Sequence, residues 1–255
     1  MLATAAGVLL LCGNACGQTT AAGPEFDAAV VRLDKTGEDL DGGILPSGQF
    51  SVRGAPLEFL LEIAYKIKGE FITGFPAWAR AERFQVIGEA PPHTPAVVLR
   101  SMLRTLLAHE FKLAAHEELR PQNGYALVVA KGGPRFQKAK QPSDPVTTEE
   151  DEQHCDRSDA HSQITAQCKD VSMAELAETL RDYDPGYLDR PVVDLTGLTA
   201  TYDVKVRWTN RGSIDSDGGT TMFEAVSKQL GLKLDARKVK VRTLVIDHIE
   251  RLQEN

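Results

Sequence analysis

The sequence predicts an α+β fold of two repeated β-α-β-β-α-β-β modules, with helices packed on mixed sheets. Three observations carry this. The same succession of apolar patterns occurs on both sides of a polar, acidic stretch from Lys138 to Asp159. Three segments place apolar residues at i, i+3, i+4 and i+7, the period of a helix with one buried face. Segments between and around them alternate apolar and polar residues, as strands covering a core on one side do. Runs of this kind in mixed order indicate α+β layers.

In chain order, the first feature is an apolar run, Ala5 to Cys12, followed by small residues. It reads as a secretory signal cleaved after Gly17, giving a signal segment over 1–17. The run is too short to span a bilayer. No Lys or Arg precedes it, and the rival reading, lipid attachment at Cys16, lacks the usual leucine in Gly13-Asn14-Ala15. The first module is assigned to 24–137. Phe50 and Val52 mark a strand, and Pro56 opens a helix whose inward face is Leu57, Leu60, Leu61 and Ala64. Phe84 and Val86 mark the next strand. A second helix follows, with Thr94 as cap and Leu99, Met102, Leu103 and Leu106 inward. Two strand-like segments, KLAAHEEL and GYALVVAKGG, close the module.

Residues 138–160 read as an acidic linker, with the run Glu149 to Glu152 a solvated tether. The second module, 161–255, repeats the order; the alternative to two modules is one large interlocked domain with strands paired across the two halves. Ser172 and Glu175 form a capping box, and Met173, Leu176, Ala177 and Leu180 face inward. In DRPVVDLTGLTATYDVKVRW, Tyr202, Val204, Val206 and Trp208 point to one face while Thr201, Asp203, Lys205 and Arg207 point to the other. Thr221 and Glu224 form another capping box, and Gly231 ends that helix. LKLDARKV and KVRTLVIDHIE are the closing strands.

The chain has 255 residues and a formal net charge of −7, with no basic cluster free of acidic neighbours. No nucleic-acid partner is expected. If Cys12 and Cys16 leave with the signal, Cys155 and Cys168 remain as an even pair in an oxidising compartment, where a disulfide is the default. Such a bridge is worth about 3 kcal/mol by loop-closure entropy. The alternatives are two free or otherwise paired cysteines, and a zinc site at His154, Cys155, His161 and Cys168, which has the right ligand types but no chelating pair spacing. His109 and His116 resemble a zinc-protease motif, yet lie seven apart, roughly 10 Å along a helix axis, too far to share a metal. No nucleophile elbow, phosphate-binding loop or dinucleotide glycine pattern is present. No catalytic residue and no cofactor is therefore assigned. Phe75, Pro76 and Trp78 form an aromatic loop that is either a contact surface or a turn whose Trp folds back on the core.

Several blocks in fixed order, among them SGQFSVRGAPLEFLLEIAYKI, ITGFPAWARAERFQVIGEA and DRPVVDLTGLTATYDVKVRW, resemble the soil-bacterial family DUF3738 from about Glu25 to Asn255. The resemblance implies exported proteins, present in many paralogous copies in acidobacterial lineages, with no established activity and hence no catalytic residues to carry over. Similar domains occur fused behind membrane-embedded metallopeptidases of the antibiotic-sensor type, which implies an extracytoplasmic sensing or interaction role. The second half is also similar to the short N-terminal domains of secretins and TonB-dependent receptors, periplasmic modules that work by protein contact. The expected protein is a periplasmic or secreted binding module, its partner another protein or a cell-envelope component, with no transmembrane segment after signal cleavage. Contact through exposed sheet edges or loops is expected. The alternatives are a ligand sensor with a pocket between the modules and a metal-dependent hydrolase.

Overall fold

The computed structural model describes residues 23–37, 39–45, 47–139 and 155–253. The signal segment, the run Glu149 to Glu152 and His154 lie outside them. In the first half come β1 (Ala28–Leu33), β2 (Asp41–Ile44), β3 (Phe50–Pro56), α1 (Leu57–Tyr65), a 3-10 turn (Gly69–Phe71), β4 (Ile72–Thr73), α2 (Ala77–Ala81), β5 (Arg83–Glu89), α3 (Ala96–Glu110), β6 (Ala114–Val129) and β7 (Gln137–Lys138). The second half holds β8 (Cys155–Ala160), β9 (Gln163–Val171), α4 (Met173–Tyr183), β10 (Val192–Asp194), β11 (Tyr202–Thr209), α5 (Ile214–Asp217), α6 (Met222–Leu230) and β12 (Leu232–His248). Among the described residues no helix is long and apolar enough to cross a membrane.

The helices follow their local signals. Pro56 caps α1, whose buried residues are Leu57, Leu60, Leu61 and Ala64. Ser172 Oγ accepts the Glu175 N–H at 3.2 Å while the Glu175 carboxylate accepts the Ser172 N–H at 2.9 Å, closing the box that starts α4. Thr221 and Glu224 do the same for α6. Gly231 ends α6 at φ 66°, and a Cβ there would lie 1.9 Å from the Gly133 carbonyl oxygen. Only glycine fits both demands. Thr94 does not cap α3 as expected: its hydroxyl donates to the Pro91 carbonyl at 2.6 Å, and the helix begins after Pro95.

Three four-stranded sheets result, with orders β1-β5-β3-β2, β10-β6-β12-β4 and β7-β11-β9-β8. The first carries α1 and α3 of the first half, and the third carries α4 and α6 of the second. The middle sheet departs from the expected pattern. Each pair of closing strands is one long strand, and β6 of the first half runs antiparallel to β12 of the second along its whole length. The segments KLAAHEEL and GYALVVAKGG are not separate strands, because the ladder continues through Pro121-Gln122-Asn123-Gly124. Tyr125 donates its N–H to Pro191, away from β12, so by twofold alternation Pro121 also faces its missing N–H to the open edge and costs the ladder nothing.

The short strands cross over as well: β4 pairs in parallel with β12, and β10 in parallel with β6. Each core therefore contains residues of the other half. Leu127 of β6 packs in the second-half core, while Leu244 and Ile246 of β12 pack in the first. The expected linker also ends early, because Cys155–Ala160 form β8 against β9. Only Cys155 of that edge strand faces inward, so its residues show none of the apolar alternation that identifies a strand.

Candidate functional site

Where the two halves exchange strands, a groove of about 580 Å³ opens between α1 and α4. Its volume falls in the range of small-molecule sites. From α1 it takes Phe59 and Ile63, at i and i+4, together with Glu62, and from the C-cap of that helix Lys66. These lie beside the inward stripe of α1, so this helix is apolar on a second face. From α4 come Ala174, Glu178 and Arg181, at i, i+4 and i+7. The remaining lining is Ile67, Lys68 and Phe71 before β4, Leu119 of β6, Pro191 to Asp194 around β10, and Lys240 to Arg242 of β12. Leu119 is 62% exposed, the most exposed of the large apolar side chains among the described residues.

Ion pairs tie the rim together across the halves. The Arg181 guanidinium meets the Glu70 carboxylate in two contacts of 2.7 and 2.8 Å and lies 5.7 Å over the Phe71 ring. Arg181, hydrogen-bonded to it, holds Glu70 below the usual carboxylate range. Lys68 pairs with Asp182 beside it. Arg242 grips the Glu117 carboxylate at 2.6 and 3.1 Å and lowers its pKa. The same guanidinium donates to the Tyr65 carbonyl and, at 3.5 Å, to that of Lys66. A cation thus meets the negative end of the α1 dipole. Arg104 adds a bond of 2.6 Å to the Ala64 carbonyl.

Glu62 is a partly buried carboxylate of the groove. Burial raises its pKa, against the pull of the Gly69 N–H, which donates to Oε1 at 2.6 Å. A Cβ at Gly69 would lie 2.5 Å from that oxygen, so glycine permits this contact. The side chains of Lys66, Glu178 and Lys240 have no hydrogen-bond or ion-pair partner among the described residues.

The other sequence candidates lie elsewhere. The Sγ atoms of Cys155 and Cys168 are 2.03 Å apart, a disulfide between directly opposed residues of β8 and β9. Zinc binds thiolates, so a bonded pair supplies no ligands, and the tetrahedral site at His154, Cys155, His161 and Cys168 does not form in this state. His161 sits exposed in the turn between these strands with φ 57°. Among the described residues no three His, Cys, Asp or Glu side chains converge as metal ligands. His109 ends α3 beside Glu110, and His116 lies on β6 beside Asp247. The aromatic loop contains the short helix α2. Trp78 and Phe75 lie partly buried against the first-half core, with Arg251 and Arg80 over their rings.

Residues 58–249 match the family described as "Protein of unknown function (DUF3738)", and the chain belongs to that family. No curated protein and no solved structure matches the chain.

Proposed function

We propose that this DUF3738 member is an exported, non-catalytic binding protein that takes a small ligand in the groove between α1 and α4. The observation that carries this is the groove itself: a largely apolar cleft of about 580 Å³ with a few polar groups, at the seam between two halves. Ligand sites concentrate at such seams. Its arginines are held by Glu70 and Glu117 in contacts that join the halves, which suits binding and coupling of the halves more than turnover. The open strand edges argue less well for strand addition. Lys238 and Lys240 on β12 and Pro121 on β6 are the residues that discourage edge pairing. Export rests on the N-terminal apolar run and on the Cys155–Cys168 disulfide, a bond of oxidising compartments. Two copies of one α+β unit, exchanged through β4 and β10, and a kinship with secretin-type interaction domains remain part of this reading.

Native mass spectrometry of protein recovered from the cell envelope tests it. The expected species begins at Gln18 and retains a small molecule. An Ala174→Trp variant, which fills the groove from α4 with unchanged circular dichroism, loses that molecule. A ligand held equally by the variant would place binding elsewhere.

A further inference from the structure

An open strand edge is a template for another strand, and folded proteins guard theirs. Most edges of this molecule are guarded. β4, β7 and β10 have only two or three residues, β2 carries two glycines, β8 carries three charges, and Pro121, Lys238 and Lys240 stand on the open stretches of β6 and β12. Among the described residues β1 is the edge without such a device. It has six residues, AAVVRL, with one charge and no proline or glycine, and it runs without a register shift along β5. At its end Asp34 donates its N–H to the Arg83 carbonyl at 2.7 Å. By twofold alternation Arg32, Val30 and Ala28 turn their backbone groups to β5, and Val31 and Ala29 turn theirs to the open side. The side chains of this edge are self-complementary. Val30 and Ile87 lie directly opposite each other on the outer face of the sheet, 40% and 39% exposed. Arg32 and Glu89 stand on the same face, each two residues beyond one member of that pair and at opposite ends of it. Neither side chain has a hydrogen-bond or ion-pair partner among the described residues. A second copy laid antiparallel on β1, with a twofold axis at Val30, answers every one of these groups. Ala29 and Val31 exchange N–H···O bonds with Val31 and Ala29 of the second copy. Val30 meets Val30, so that Ile87, Val30, Val30 and Ile87 form one apolar row across both sheets. Arg32 comes opposite Ala28 of the second copy, whose neighbour on β5 is Glu89. The unpaired guanidinium then faces an unpaired carboxylate across a methyl group, over two strand spacings of about 10 Å in all. An axis at Val31 would instead set the two Arg32 residues diagonally together, and a one-residue slip would turn the outer face of one copy against the inner face of the other.

We infer that the protein forms a twofold dimer through β1, in which two four-stranded sheets join into one continuous sheet. The groove takes no residue from this sheet, so the inference stands apart from ligand binding. Sedimentation equilibrium of protein recovered from the cell envelope tests it. An interface of two strand edges is a small one, so a dissociation constant on the order of 10 µM is expected. Val30→Lys sets two ammonium groups face to face and is expected to weaken the dimer by at least about tenfold, with unchanged circular dichroism. Arg32→Glu alone is expected to weaken it, and Arg32→Glu combined with Glu89→Arg to restore it. Val30→Cys should give a disulfide-linked dimer on mild oxidation, because the two Cα atoms of a non-hydrogen-bonded pair lie about 4.5 Å apart. Ala28→Cys, whose copies would stand four residues apart, should not. A monomer at every concentration overturns the proposal, and hydrogen exchange then identifies the occupant. Slow Ala29 and Val31 amides would mean a segment of the same chain on this edge, and fast ones an edge left to a foreign strand. A dimer unchanged by Val30→Lys, or a charge exchange that fails to restore it, overturns the proposal as well.

Discussion

Asp184 is 5% exposed, and its Oδ2 accepts both the Trp208 indole N–H at 3.0 Å and the Arg211 backbone N–H at 3.1 Å. Trp208 is fully buried, so without that oxygen its N–H would have no acceptor there. An unmade bond to a buried donor costs about 1–3 kcal/mol. Asp184→Ala is expected to lose that much in urea unfolding, and Asp184→Asn, which keeps an oxygen, distinctly less. Glu70 gives a pH-dependent case. Its folded pKa is depressed by Arg181, so the stabilisation is present above the unfolded value near 4.5 and is lost as pH falls through the folded value. With the Glu70 side chain 46% exposed, solvent screening keeps the effect below about 1 kcal/mol. Glu70→Gln should therefore be less stable than wild type at pH 6, and the gap should be narrower at pH 3. Unfolding curves at both pH values decide it.

The four longer helices α1, α3, α4 and α6 were legible from sequence because their signals are local, whereas the single-turn α2 and α5 were not. The boxes at Ser172 and Thr221, the stop at Gly231 and the inward faces of α1 and α4 each depend on residues within two turns. The pairing of β12 with β6 and β4 was not legible, because those partners are chosen across more than a hundred residues. Pro121 and Asn123-Gly124 carry turn chemistry, yet the ladder to β12 continues through them since the proline lies where no bond is needed. β8 was hidden for the opposite reason: it is polar, and its one inward side chain is a cysteine. The disulfide fastens this edge strand to β9 with a sequence separation of 13. Replacing Cys155 and Cys168 by Ser is expected to cost about 3 kcal/mol by loop-closure entropy. Thermal melts of wild type with and without reductant should reproduce the difference. Hydrogen exchange should quicken first in Cys155–Ala160, the strand that loses its covalent tie.

At the scale of the whole molecule, the groove was illegible because its walls come from five separated segments that meet only when the halves exchange strands. A trace existed in the extra apolar residues Phe59 and Ile63 on α1, which the inward stripe did not need. The exchange has a thermodynamic consequence. Leu127 completes the second-half core, Leu244 and Ile246 complete the first, and neither core can close on residues of its own half. The buried apolar surface that offsets chain entropy is thus shared, and the halves should form one cooperative unit. Cleavage between residues 140 and 154 is expected to leave two fragments that co-elute in size-exclusion chromatography and unfold in urea in a single transition. Fragments 24–139 and 155–255, expressed apart, should each lack the dispersed amide spectrum of a folded domain. Mixed, they should recover it, because the β6–β12 ladder and the two cores need both chains. A fragment that folds alone would show that the long strands join two finished modules, and the groove would then be a hinge between domains.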